Sequence, residues 1–201
     1  MPSPTEIANM AFAKIGQAPI DDIDDTSDNV ARDAKLVYED IVREVLRSHP
    51  WNCLKTRAVL AVNTAAPSFG WSYSYTLPSQ CLRVCTVNGY STTSSYVQDY
   101  FEIESRDILT DADECKITYI QYSADTTKYD PLLIQAIVLK LGAHLALKTA
   151  KDPQLAMALI QEYDKVTLPT AQRVDGNERY PRETTNASRS SWVRSRYYST
   201  G

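Results

Sequence analysis

Two histidines, His49 and His144, are the only ready proton carriers among 201 residues. Neither stands beside a nucleophile signature such as G-x-S-x-G, so a Ser–His or Cys–His mechanism has no local support. His49 precedes Pro50 and Trp51 at the end of a helical pattern, where a cation suits the helix dipole. His144 falls on a polar stripe with Lys140 and Lys148. The acidic run Asp21, Asp22, Asp24, Asp25 and Asp28 invites a calcium reading. An EF-hand-type loop needs Gly at its sixth position and Glu at its twelfth, and counting from Asp21 these are Thr26 and Arg32. What remains is a solvated loop or, as a sharper alternative, a surface that repels passing DNA.

Glu102 and Glu104 share a strand face, and Asp111, Asp113 and Glu114 gather in a turn, the raw material for glycoside cleavage by paired carboxylates. Such pairs are equally ordinary on wet surfaces. Cys81 and Cys85 are four apart, so they do not form a C-x-x-C pair, and no paired histidines complete a zinc site. Neither G-x-x-x-x-G-K nor G-x-G-x-x-G occurs. The expectation is no catalytic residue, no metal and no cofactor.

The elements that hold these residues fall into three regions. Residues 1–50 read as two helices. Ser3-Pro4-Thr5-Glu6 is a capping box with Pro at the first helical position, Ile7, Met10, Ala11 and Ile15 follow at helical spacing, and Gly16 supplies a stop. Thr26 or Ser27 is expected to cap a longer helix striped by Val30, Ala34, Tyr38, Ile41 and Val45 and ended by Pro50. Residues 51–125 change period. Stretches 57–62, 71–77, 82–87, 96–103 and 116–122 are rich in β-branched and aromatic residues, several of them alternate, and Asn88-Gly89 and Pro78-Ser79 are turn chemistry. They predict a small antiparallel β-domain. Residues 126–171 return to helix, where Asp130-Pro131 and Asp152-Pro153 each pair a capping Asp with Pro. The first of these helices is apolar nearly all round, and Pro169 stops or kinks the second. The fold class expected is α+β: a bundle of about four helices (1–50 and 126–171), an inserted antiparallel β-domain (51–125) and an extended C-terminal arm (172–201).

Composition narrows function further. With 21 basic and 25 acidic residues the net charge is −4, which argues against a protein that grips nucleic acid over its whole surface. The arm alone carries six Arg against three acids, a surplus of +3, leaving −7 for the rest. It has almost no aliphatic residues, yet it holds Tyr180, Trp192, Tyr197 and Tyr198. Such a segment cannot bury a core of its own, and aromatics with Arg are typical interface anchors. No apolar run approaches the ~20 residues of a membrane span, and residues 1–10 lack the pattern of a signal peptide. The four cysteines are therefore expected as reduced thiols of a cytoplasmic product.

Several phrases resemble one family in order along the chain. Val45-Leu46-Arg47-Ser48-His49-Pro50-Trp51-Asn52, continuing to Arg57-Ala58-Val59-Leu60-Ala61, is similar to a phrase of the tail tubular protein A family, head-to-tail adaptors of short-tailed, T7-like bacteriophages. Tyr75-Thr76-Leu77-Pro78-Ser79-Gln80-Cys81-Leu82-Arg83-Val84 resembles a second, with Gln80 where the family phrase has Asp. Tyr129-Asp130-Pro131-Leu132-Leu133 and Ser191-Trp192-Val193-Arg194 resemble two more. The resemblance implies a structural virion protein, made in the host bacterial cytoplasm. It implies a ring of twelve between the portal protein and the tail nozzle protein, with tail fibres as a further neighbour and genomic DNA passing through without specific binding or membrane contact. On this reading Tyr180, Trp192, Arg194, Arg196 and Tyr197 meet the portal or a neighbouring subunit, and Asp21, Asp22, Asp24 and Asp25 border the channel. The alternatives are a virion-associated polysaccharide or peptidoglycan hydrolase using the carboxylates above, and a different connector such as a stopper.

Overall fold

A computed structural model describes residues 2–93 and 100–178. The chain is α+β, with four helical rods and two antiparallel sheets. Helix α1 (Pro4–Lys14) starts as its capping box dictates, Ser3 Oγ accepting from Glu6 N at 3.2 Å and Ser3 N donating to Glu6 Oε2 at 2.6 Å. Its buried residues are Ile7, Ala8, Ala11 and Phe12, whereas Met10 is turned to solvent. Helix α2 (Asn29–Ser48) is capped by Asp28, not by Thr26 or Ser27, because Asp28 Oδ1 reaches Val30 N at 2.8 Å. Ser27 instead closes a turn on Asp25.

Helix α3 (Pro131–Leu145) continues through a π-type turn, Ala146–Ala150, that ends on Lys151 in the left-handed region. Asp130 and Asp152 cap α3 and the helix α4 (Pro153–Glu162), as the repeated Asp-Pro device predicts. The run Pro131–Ala150 is 20 residues long with a hydropathy of 1.4, apolar and long enough to cross a membrane, contrary to the sequence expectation. In the fold, 61% of its most apolar 18-residue stretch is buried. It is the central rod, packed by α1, α2 and α4, and Gly142 lets α1 come close enough that a Cβ there would lie 3.4 Å from Ala11 O.

Pro169 does not end the second helical run. A π-type turn (Tyr163–Thr167) leads into helix α5 (Leu168–Asn177), and Pro169 occupies its first turn, where a missing N–H is tolerated. Residues 172–177 therefore belong to a helix, not to the arm, and Ala171 and Asp175 are buried. The remainder of the arm, from Arg179, lies outside the described residues.

Between α2 and α3 the described residues form seven strands. Strands β1 (Lys55–Leu60), β3 (Cys81–Val87), β4 (Tyr90–Ser91) and β7 (Cys115–Gln121) make one sheet in the order β1-β7-β3-β4. Strands β2 (Tyr73–Thr76), β5 (Glu102–Glu104) and β6 (Asp107–Thr110) make the other, in the order β2-β6-β5. All pairings are antiparallel, and a bridge from Val62 to Tyr75 ties the sheets together. Of the expected strand 96–103, residues 96–99 lie outside the described residues and only Glu102 and Ile103 are in β5.

Two cores result. The larger joins residues of α1, α2, α3 and α4, so the helices on either side of the insertion form one layer. Trp51, Leu54 and Ile120 belong to it, which moves the border of the β-domain inward from 51–125. The smaller core lies between the two sheets, with Tyr75 and Ile108 from one and Val84, Ile117 and Tyr119 from the other.

Candidate functional site

Where α2, β1 and α5 meet, side chains from all three are tied together. Pro50 ends α2 at His49, whose extended backbone turns the chain away. Trp51 then folds back, donating Nε1–H to Val45 O at 3.1 Å and packing edge-on to the His49 ring at 4.8 Å. His49 Nε2 lies 3.0 Å from Asp175 Oδ2, and Asn52 N donates to Asp175 Oδ1 at 2.7 Å. Asn52 Nδ2 donates to the Asp175 carbonyl oxygen at 2.5 Å. Asp175 is 8% exposed, so a carboxylate that could not stand alone there is held by donors from the α2–β1 corner. His49 is thus a structural clasp at the head of the arm. Sequence reasoning missed Asp175 because it lies in a polar stretch whose burial depends wholly on partners more than a hundred residues away.

The boundary between helices and sheets is built from long polar and aromatic side chains. Arg43 stacks on the Tyr122 ring at 3.9 Å and pairs with Glu39 at 2.6 Å. Arg47 donates to Leu82 O, Arg83 to Ser48 O at 3.5 Å, and Tyr129 Oη to Ser123 O at 2.5 Å. Burial pushes the Tyr38 and Tyr129 hydroxyls up, and the Tyr163 hydroxyl up to about 12. Tyr38, Tyr122 and Tyr129 all pack with the larger core here. Tyr90 and Tyr100 stack at 4.3 Å beside a pocket of about 160 Å³ that also touches Trp71 and Asp111.

The polar stripe on α3 is likewise taken up internally. Lys140 pairs with Glu44 and Lys148 with Asp33, each at 2.6 Å, which braces α3 against α2. His144 is exposed at the margin of an apolar groove of about 330 Å³ between α3 and α4, floored by Leu147, Met157 and Ile160.

The acidic residues Asp21, Asp22, Asp24 and Asp25 form one exposed loop between α1 and α2. The loop is ordered by its own hydrogen bonds. Asn9 clasps Ile20 through both backbone groups, at 2.9 and 2.8 Å, and Asp22 Oδ1 accepts from Asp24 N at 3.0 Å. Asp24 pairs with Lys35 at 2.8 Å. The Ser27 hydroxyl and amide hold the Asp25 carboxyl below the usual carboxylate range. Among the described residues no group of three or more His, Cys, Asp or Glu side chains is arranged to hold a metal ion.

Three of the five carboxylates weighed for sugar cleavage, Glu102, Asp111 and Glu114, are engaged in local structure. Glu102 accepts from Trp71 Nε1 at 3.3 Å, Asp111 from Ser72 N and Oγ at 2.9 and 2.8 Å, and Glu114 pairs with Lys116 at 2.6 Å. The four cysteines form no disulfide with one another. Cys115 is fully buried and its thiol is pushed up to about 11 by burial. Of the expected partner-binding residues, Tyr180, Trp192, Arg194, Arg196 and Tyr197 all lie outside the described residues. No known family model matches the chain, and no curated protein matches it. The likeness to tail adaptors rests on the ordered phrases alone.

Proposed function

We propose that this chain is a structural, non-enzymatic head-to-tail adaptor of the tail tubular protein A kind, assembling as a ring between portal and tail nozzle. The observation that carries the reading is where the resembling phrases fall. The phrase Val45–Asn52 is the clasp that joins helices, β-domain and the start of the arm, with Asp175 as its keeper. The phrase Tyr75–Val84 runs from β2 into β3, and Tyr129–Leu133 opens the central helix. These are the joints of the fold, and joints are where an adaptor's geometry is set.

The charge distribution supports a conduit. A chain of net −4 offers duplex no overall electrostatic attraction, which suits a conduit, since each phosphate contact would add a barrier to sliding. The test is electron microscopy of the purified chain, alone and mixed with its portal. Rings with a central opening, seated on the portal, are expected. Absence of rings in both samples, or turnover of peptidoglycan that falls with Glu102→Gln, would overturn the reading.

A further inference from the structure

The end of the β-domain remote from the helices, where Leu60 pairs with Cys115 and Tyr73 with Thr110, carries the small aromatic pocket noted above. Its lining includes Trp71, Tyr90, Tyr100, Phe101 and Asp111. Hydrogen bonds within the fold hold these walls in place. Asn88 and Gly89, at φ 49° and 88°, are the paired left-handed residues of a tight hairpin turn, and they set Tyr90 opposite Val87. The Asn88 side chain braces that turn, accepting from Lys116 N at 2.8 Å and donating to Glu114 O at 2.9 Å. Thr110 Oγ1 donates to Tyr100 O at 2.8 Å. Glu102 holds the Trp71 indole nitrogen, and Ser72 holds Asp111 Oδ1 through its amide and its hydroxyl. The pocket is therefore preformed, and a ligand has little ordering to do.

The groups left over share one preference. Tyr90 and Tyr100 lie 11° from parallel, so each ring covers one face of the other. At 43% and 49% exposed, they still offer ring surface to solvent. Asp111 is exposed and in no ion pair, and its Oδ2 has no partner among the described residues. No Lys or Arg lines the pocket among the described residues, and the neighbouring Lys116 is taken by Glu114 at 2.6 Å. Residues 58–82, which supply Trp71, carry no charge at all, whereas Asp111, Asp113 and Glu114 crowd one turn. Aromatic faces attract cations, and an unpaired carboxylate beside them adds to that attraction while repelling anions.

The shape selects among cations. A space of about 150 Å³ accepts one flat six-membered ring, so this pocket suits a single planar group and its stem. A guanidinium can lie flat on an aromatic ring and still direct a fork of N–H donors at a carboxylate. An ammonium has no plane to stack, and a quaternary ammonium has no donor for Asp111.

We propose that this pocket binds an arginine side chain of a partner protein, its guanidinium stacked on the aromatic wall and forked onto Asp111. The site requires neither the adaptor reading nor any contact between copies of this chain.

The test is a titration of the full chain with the capped peptide acetyl-Gly-Arg-Gly-amide, followed by nitrogen–proton correlation NMR. The Trp71 indole signal and the Asn88 and Ala112 amides should move saturably, in the millimolar range of one stacked cation. The Trp51 indole, buried in the helical core, should stay still. Asp111→Asn keeps an oxygen for Ser72 but loses the charge, and it should weaken binding about tenfold. Tyr100→Leu should weaken it about fivefold. Thermal melting checks folding, and Tyr90→Leu replaces Tyr100→Leu if that variant fails it. The matching Lys peptide should bind several-fold more weakly. The proposal is overturned if the Arg peptide produces no saturable movement, or if Asp111→Asn binds it like wild type. A Lys peptide that binds as tightly also overturns it. So does tetramethylammonium binding as tightly, in favour of a quaternary-ammonium cage. Each of these results leaves the adaptor reading where it stands.

Discussion

His49 and Asp175, 126 positions apart in the chain, meet Nε2 to Oδ2 at 3.0 Å, and the same carboxylate accepts the Asn52 amide at 2.7 Å. One side chain near the end of α5 thereby fixes the angle at which α2 hands the chain to β1. Asp175→Ala should cost about 2–3 kcal/mol, because it removes the carboxylate that the Asn52 N–H and the His49 ring meet in a largely buried site. Urea unfolding measures the loss. His49→Ala combined with Asp175→Ala in a double-mutant cycle should show strong coupling, and additive effects would mean that the two do not act as a clasp.

The Tyr38 hydroxyl is buried with no hydrogen-bond partner among the described residues. Tyr38→Phe removes an unsatisfied polar group while keeping the ring against the helical core, so it should be neutral or stabilising by up to about 1 kcal/mol. A destabilisation of similar size would show that the hydroxyl has a partner in solution.

Cys115 sits fully buried between the sheets, and its thiol is pushed up from 9.0 to about 11. Above pH 9 the unfolded thiol has given up its proton while the folded one keeps it, so the unfolded state binds fewer protons and stability falls as pH rises. The contribution is whole below pH 9 and is lost between pH 9 and about 11. Cys115→Ala should flatten that part of the stability curve, and alkylation of Cys115 at pH 8 should wait for unfolding of the β-domain.

Lys55 and Ile120 are antiparallel partners at the border of the two layers, so their Cα atoms lie about 5 Å apart. Replacing residues 56–119 by a two-residue Asn-Gly turn should leave a helical remnant that melts cooperatively, because Trp51, Leu54, Ile120 and Tyr129 of the larger core are kept. Loss of all helical signal in circular dichroism would show that the helical layer cannot stand without its insertion.

Truncation after Glu178 should preserve the helical spectrum and cooperative melting while abolishing assembly with the portal. The cut must fall there because a shorter chain ending at Thr170 loses Ala171 and Asp175, both buried. A truncated chain that still forms portal-bound rings would make Trp192, Arg194 and Arg196 dispensable.

What was legible in the sequence was local chemistry. Ser3 with Glu6, Asp130 with Pro131 and Asp152 with Pro153 announce their helices because a cap acts within three or four residues. Strands β1, β3 and β7 show in the pattern because each is long enough to display its β-branched and aromatic content. Strand β4, with two residues, and β6, with four, are too short for a period and exist because β3 and β2 offer them edges. Helix α5 is hidden by its polar residues, and Pro169 reads as a stop or a kink, whereas it sits in the first turn of α5 just after a π-type turn. The aromatic pocket needs the strand pairing before it can be seen at all, since Trp71, Tyr90 and Asp111 come together only through the ladders of β2 with β6 and β3 with β4.

The pairing of Lys55 with Ile120 also decides how the molecule bears force. Tension between the two layers enters β1 and β7 at the same end, so the two strands are drawn in the same direction and the rungs between them feel little shear. They act as a twin cable, and the stress passes onward to the β3–β7 ladder, which is interrupted by two register shifts. Under sudden axial load the first yield should therefore come at β3, inside the β-domain, and the joint with the helices should hold.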